Sequence, residues 1–272
     1  MPTAKRVLIR TGIALVCAYA ATVLGARLFY RKILYPIPTY RASLPNGIGQ
    51  LRTATAADGV AVHALAFRAG AGQRTIIHFH GNGETIADNV DLAQDLAALG
   101  FGVMLVEYRG YGVSAGAEPS EDGLYRDAEA VLCLLAADGM GPNQIVLWGT
   151  SLGSGVAAEM ARRGRASALI LVSPYTSIPS VARRLAPFLP IGLVVGDRFD
   201  TLTKAPDIHV PTLVIHGDRD EVIPFDMGTA VSAAVPGARL LVIAGGHHND
   251  LLVLAKDRIL EAVEGLLARS SP

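Results

Sequence analysis

The chain has no excess of charge of either sign. Its 24 Lys and Arg balance 24 Asp and Glu, for a formal net charge of +0 at pH 7. With no basic surplus, a nucleic-acid partner is not expected. Charge is also scarce in total, at 18% of residues, below the usual quarter. That deficit fits a buried parallel sheet together with a membrane segment. Cysteine is nearly absent. Cys17 falls in an N-terminal apolar run and Cys133 in a predicted helix, so no disulfide is expected between them. Internal repeats and low-complexity tracts are lacking as well. What remains is a chain of 272 residues, one large or two small domains, long enough to bury a full core.

The first feature present is a long apolar run. Lys5 and Arg6 precede it, Arg10 interrupts it, and Arg27, Arg31 and Lys32 close it. The uncharged part, Thr11 to Ala26, makes a helix of about 24 Å, short of a ~30 Å hydrocarbon core. Arginines at both ends can snorkel, which lengthens the span to Val7–Tyr30. Phe29, Tyr30 and Tyr35 suit an interface. The expectation is a single membrane anchor over residues 1–32. A cleaved signal peptide is the second reading, because Ala18-Tyr19-Ala20 resembles a processing site. A soluble amphipathic core helix is the third. The positive N-terminus favours a cytoplasmic N-terminus, with the bulk of the chain outside. Pro36, Pro38, Pro45 and Asn46-Gly47 mark a linker over 33–50.

Residues 51–272 then read as one folded unit. Leu51–Thr55 and Val60–Phe67 flank Asp58-Gly59 as a hairpin. Strands are expected at 74–80, 101–106, 144–148, 168–172, 212–216 and 239–243. Helices are expected at 85–99, after the cap Ser120, at 155–163, at 226–235 and at 249–267. The stretch 174–208 reads as irregular, with prolines and short apolar pieces. Strand and helix alternate, which predicts a mostly parallel, doubly wound α/β sheet with helices on both faces.

In such a sheet the loops at the strands' carboxyl ends build the site. After the strand at 144–148 comes Gly149-Thr150-Ser151-Leu152-Gly153, followed by a helix. Strand, Gly-x-Ser-x-Gly and helix make a nucleophile elbow. The serine hydroxyl must project from a tight, strained turn, and side chains two residues either side of it would collide. Read in isolation, the pentapeptide is also an ordinary glycine–serine turn. After 74–80 comes His80-Gly81-Asn82-Gly83-Glu84. The Asn82 amide, paired with the Leu152 amide, would form an oxyanion hole. After 212–216 comes Gly217-Asp218-Arg219-Asp220-Glu221, where one acid would orient a histidine. Asp218 and Glu221 read better as solvated turn residues. After 239–243 comes Gly245-Gly246-His247-His248-Asn249-Asp250. A histidine there can serve as general base and then general acid, since an ordinary imidazole titrates near neutrality. Serine, acid and histidine thus follow one another in the α/β-hydrolase order.

With these residues in view, the chain from about Arg31 onward resembles the α/β-hydrolase superfamily. It is most similar to small-lid, membrane-anchored serine hydrolases that include depalmitoylating thioesterases. The resemblance rests on residues 31–36 (Arg-Lys-Ile-Leu-Tyr-Pro), on 80–83 (His-Gly-Asn-Gly) and on 107–114, which contain Tyr-Arg-Gly-Tyr-Gly. It continues in 149–155, in 216–220 (His-Gly-Asp-Arg-Asp) and in His248-Asn249-Asp250. It implies Ser151 as nucleophile, Asp220 as the acid and His248 as the base, with His247 as second choice, and a short lid at about 174–208. It further implies a serine hydrolase acting on an ester, a thioester or a peptide through an acyl-enzyme, with no cofactor and no metal. The partners expected are a small acyl-containing substrate, lipid-like ones among them, and the membrane. Nothing in the sequence bears on oligomeric state. Ile178, Val181, Leu185, Phe188, Leu189, Ile191, Leu193 and Val194 are expected either to line an acyl pocket or to pack over the sheet. A serine peptidase is one alternative. A tethered binding protein without catalysis is another. A metal enzyme is a third, with His78, His80, His247 and His248 as ligands, although no third ligand stands at a familiar spacing from the His-x-His pair.

Overall fold

Apolar runs without a polar face must be covered on both sides, and the chain does this with a central sheet between two helical layers. The computed structural model describes residues 2–38, 47–68, 73–114 and 116–269. Helix α1 runs over Pro2–Leu34. Strands β1 (Gln50–Thr55) and β2 (Ala61–Phe67) form the expected hairpin. Then follow β3 (Thr75–Phe79), α2 (Val90–Ala98), β4 (Gly102–Glu107), α3 (Glu121–Ala137), β5 (Ile145–Thr150) and α4 (Leu152–Arg162). The rest is β6 (Ala168–Val172), α5 (Ile178–Leu185), α6 (Ile191–Val194), α7 (Thr201–Lys204), β7 (Thr212–Gly217), α8 (Phe225–Ala234), β8 (Arg239–Ile243) and α9 (Leu251–Arg269). The linker residues Pro45 and Asn46 lie outside the described residues.

The strand order is β1-β2-β4-β3-β5-β6-β7-β8. β3 to β8 are parallel, and β2 pairs antiparallel with both β1 and β4. The chain leaves β3 in one direction to reach β4 and later returns on the other side of β3 as β5. Helices α2 and α4 therefore leave toward opposite faces. Leu92 and Leu96 of α2 join Trp148 and Ile170 in one core layer, and Val156 and Met160 of α4 join Leu147 and Leu171 in the other. Where two such crossovers diverge, the carboxyl ends of the strands open a crevice. It lies here between the ends of β3 and β5.

Three expectations need correction. The helix expected at 85–99 begins as a 3₁₀ turn over Ile86–Asn89, and the α-helix starts only at Val90. Thr85 and Asp88 cause this. The Thr85 backbone N–H and hydroxyl both donate to Asp88 Oδ2, at 2.8 and 2.9 Å, which tightens the first turn. The stretch 174–208, read as irregular, holds α5, α6 and α7. Ser177 caps α5 and Asp200 caps α7 through bonds to Ser180 and Thr203 N–H. The terminal helix also starts two residues later than expected, at Leu251.

One ion cluster ties α4 to α7. Glu159 on α4 is buried and meets Arg162, Arg163 and Lys204 at 2.8, 2.8 and 3.0 Å. Burial alone would raise its pKa, but the hydrogen bonds from Arg162, Lys204 and Arg163 outweigh it and hold the carboxyl at about 2, against an ordinary 4.5. The two Arg109 hydrogen bonds likewise hold Asp58 well below the usual carboxylate range. A carboxylate depressed on folding adds stability that is fully present above its unfolded value and is lost as pH falls toward the folded one. The melting temperature is therefore expected to hold steady from neutrality to about pH 5 and to fall steeply below about pH 4. Glu159→Gln should flatten part of that acid slope in thermal melts. An acid slope in Glu159→Gln as steep as the native one would contradict the assignment.

Candidate active site

The elbow carries the strain its chemistry needs. Ser151 sits between β5 and α4 at φ 49° and ψ −115°, a conformation that costs a non-glycine residue free energy. Its N–H is held by the Val172 carbonyl at 2.9 Å and its own carbonyl by the Ser154 hydroxyl at 2.6 Å. A Cβ at Gly149 would overlap the Gly153 carbonyl, and a Cβ at Gly153 would overlap the Phe79 carbonyl. Both neighbours are backbone and cannot swing away. Gly153→Ala is expected to destabilise the fold by about 3 kcal/mol, the upper end of overpacking costs. Denaturant titration measures it, and a loss under about 1 kcal/mol would show that the elbow has room.

Pairing of β7 with β8 places Gly217 opposite Ile243, which sets the acid loop beside the histidine loop. Arg219 N–H donates to the Gly246 carbonyl at 3.0 Å, and Gly245 N–H donates to Asp218 Oδ1 at 2.6 Å. Asp218 thus clips the loops together. His248 projects from this clip. Its Nδ1 lies 2.7 Å from Asp220 Oδ2 and its Nε2 lies 3.0 Å from Ser151 Oγ. An ionised carboxylate can only accept, so Nδ1 carries the ring proton. Nε2 is then free to accept the Ser151 hydroxyl proton. His247, the second choice, meets Glu221 Oε2 at 2.9 Å on the surface instead.

Asp220 is held at every lone pair. Oδ1 accepts the Val222 and Ile223 N–H at 3.0 and 2.8 Å, and Oδ2 accepts from His248. Burial pushes its pKa up, but the hydrogen bonds from His216, His248 and Ile223 outweigh it and leave the group well below the usual carboxylate range. Sequence reasoning missed His216. Its Nε2 lies 2.9 Å from the Ile223 carbonyl and 3.3 Å from Asp220 Oδ2, so it braces the acid from beneath. It is fully buried against Gly228, where a Cβ would overlap the ring. The only sequence signal was its place in His-Gly-x-x-Asp.

The loop after β3 is also fixed from below. His80 Nδ1 donates to the Gly81 carbonyl at 2.7 Å. In a trans peptide the N–H points opposite to the C=O. Holding the Gly81 carbonyl on the buried ring therefore sends the Asn82 N–H the other way. The Tyr111 hydroxyl donates to the Asn82 carbonyl at 2.9 Å, and the Tyr108 hydroxyl donates to the His80 carbonyl at 3.1 Å. Arg109 anchors that tyrosine loop on Asp127 and Asp58. Leu152, the second expected oxyanion donor, opens α4, so its N–H has no acceptor within its own helix. Asn82, Ser151 and Leu152 all line one cavity.

The four histidines weighed as a metal set do not converge. His78 meets the Thr150 hydroxyl, His80 the Gly81 carbonyl, His247 Glu221 and His248 Asp220. Among the described residues, no three His, Cys, Asp or Glu side chains group as ligands.

Two cavities flank Ser151. One, of about 390 Å³, has a mixed lining, with Asn82, Glu84, Asn89 and His248 beside Leu92 and Trp148. The other, of about 270 Å³, is apolar. Of the expected lid residues, Ile178, Val181, Leu185, Leu189, Ile191 and Val194 line the apolar cavity, while Phe188 and Leu193 do not. Its outer wall, unforeseen from sequence, is the end of α1: Ala26, Tyr30, Ile33 and Leu34. The Leu34 carbonyl there accepts from Asn82 Nδ2 at 3.2 Å.

Comparison with known proteins bears on the family and the fold. The family model described as serine aminopeptidase, S33, matches residues 70–195. An uncharacterised protein of Mycobacterium tuberculosis is 31% identical over 249 residues, covering 90% of this chain and 88% of the relative. A putative alpha/beta hydrolase of Acanthamoeba polyphaga mimivirus is 31% identical over 221 residues, covering 78% of this chain and 82% of that protein. In fold, an esterase of Pyrococcus furiosus superposes with a TM-score of 0.71 at 18% identity, over 86% of this chain and 98% of its own. The chain belongs to the α/β-hydrolase superfamily.

Proposed function

We propose that the protein is a serine hydrolase that cleaves a carboxylic ester or thioester of an apolar acyl group, held at a membrane by its N-terminal helix. The observation that carries this reading is the hydrogen-bonded line Ser151–His248–Asp220 at the mouth of an apolar cavity. In the proposed mechanism His248 takes the Ser151 proton as the serine oxygen attacks the acyl carbonyl. The carbonyl oxygen becomes an oxyanion, held by the Asn82 and Leu152 amides, each worth about 2.7–4 kcal/mol of barrier in such sites. His248 then gives its proton to the departing alcohol or thiol. The acyl-enzyme remains, and the same histidine activates water to release the acid. Asp220 keeps the imidazole in register and stabilises its charged form.

The apolar cavity suits the acyl chain and the mixed one, with its Asn82, Glu84 and Asn89, the leaving group. Membrane attachment is supported by α1, long and apolar enough over Ala4–Leu34 to cross a bilayer. The test is a panel of esters and thioesters of increasing acyl length, with Ser151→Ala as blank. Activity that rises with length through medium chains supports the reading, and activity confined to acetyl esters counts against it. A serine peptidase is the second reading, favoured by the description of the matching family model. Amino-acid amides in the same panel separate the two.

A further inference from the structure

Phe188 and Leu193 face outward although they sit in a wholly apolar stretch of the chain. Residues 185–196 read Leu-Ala-Pro-Phe-Leu-Pro-Ile-Gly-Leu-Val-Val-Gly, without one polar side chain. Arg183 and Arg184 precede the strip, and Asp197 and Arg198 follow it. Leu185, Phe188 and Leu193 are 71%, 67% and 72% exposed. An apolar run of about 10–14 residues is too short to span a bilayer, but it suits an interfacial or re-entrant segment.

The strip lies along α1. Near its start the Tyr19 hydroxyl donates to the Phe188 carbonyl at 2.9 Å. Farther on Arg27 Nη1 donates to the Val194 carbonyl at 3.4 Å. At its end Asp197 accepts from Tyr30 and Arg31 at 3.1 and 3.0 Å. Tyr19 and Arg31 are about 18 Å apart along the helix, comparable with the ~15 Å depth of one leaflet. Charge thus closes the strip at both ends, at the Asp197–Arg31 level and at Arg183 and Arg184, where Arg184 pairs with Asp226, and the apolar side chains lie between these two levels along α1.

The strip's backbone also suits a place with little water. Pro187 and Pro190 have no N–H to satisfy. The N–H groups of Ala186, Leu189, Ile191, Leu193 and Val195 donate to carbonyls close by in the chain. Hydrocarbon tolerates a backbone only when its polar groups are satisfied internally.

We infer that residues 185–196 lie in the hydrocarbon of the leaflet nearest the hydrolase domain, so that the acyl cavity between this strip and α1 fills laterally from the bilayer. The substrate class is then a bilayer-resident long-chain acyl ester or thioester rather than a freely soluble one. This rests on the anchored serine-hydrolase reading above.

The test uses the full chain in phosphatidylcholine vesicles with bromine on the acyl chains. Trp148 is the only tryptophan and is buried, so the native chain is the blank. Phe188→Trp is expected to emit at shorter wavelength than an exposed indole and to be quenched by the brominated lipid. Leu15→Trp, on α1, should be quenched as well. Quenching at 15 but not at 188 overturns the lid proposal and leaves the anchor standing. Quenching at neither overturns both. In a second arm, Phe188→Lys with Leu193→Lys should lower hydrolysis of a vesicle-borne long-chain ester about tenfold or more, because each lysine is costly to bury in lipid. Hydrolysis of a short soluble ester should be unchanged. An equal fall on both substrates overturns the proposal. A native chain inactive on every ester overturns the hydrolase reading instead, and the quenching arm still decides the lid.

Discussion

Replacing Ser151 with alanine is expected to lower kcat on any cleaved ester by about 10⁴- to 10⁶-fold, with little change in KM. The hydroxyl is placed to form the new bond, 3.0 Å from His248 Nε2. The substitution removes one oxygen and leaves the strained turn to be held by bonds that do not use it: Ser151 N–H to Val172, and the Ser154 hydroxyl to the Ser151 carbonyl. The variant should therefore fold and bind substrate. What remains is the cavity and the proposed oxyanion donors, which keep a residual acceleration over water. Steady-state kinetics on a short ester measures the change. A fall of less than about tenfold would place the nucleophile elsewhere.

Asp220→Asn is expected to cost on the order of 10⁴ in kcat, although it changes a single atom. Oδ1 accepts two backbone N–H groups, so an asparagine must keep its oxygen there and turn its NH₂ toward His248. That amide donates where the carboxylate accepted. His248 must then accept at Nδ1 and carry its proton on Nε2, facing Ser151, where it cannot act as base. His216 is left facing the same NH₂. The variant should bind substrate normally, so the loss falls on kcat and not on KM. A change confined to KM, or a loss below about tenfold, would show that Asp220 does not set the tautomer.

These expectations draw on parts of the chain that were legible to different degrees. The elbow, acid loop and histidine loop could be read because each depends on local signals: an apolar run, a glycine-rich turn and one reactive side chain. Chain order supplied the rest. His80 and His216 were not legible as braces, because their partners are the backbone carbonyls of Gly81 and Ile223, and no side-chain pattern announces a carbonyl. The 3₁₀ entry to α2 was missed because Thr85 and Asp88 override an apolar periodicity that begins at Ile86. Residues 186–208 read as irregular because α6 and α7 span four residues each, too short for a 3.6-residue period to register. Its packing against α1 was out of reach for a different reason. Tyr30 and Asp197 are 167 positions apart, and their bond depends on the whole sheet standing between them.

The central claim is that Ser151 is a nucleophile activated by His248 and oriented through Asp220. The most direct measurement is to treat the full-length protein with a fluorophosphonate probe, digest it, and locate the adduct by mass spectrometry. The account predicts one adduct, on Ser151, absent from Ser151→Ala and formed much more slowly in Asp220→Asn. An unlabelled native protein, or labelling that persists undiminished in Ser151→Ala, would contradict it.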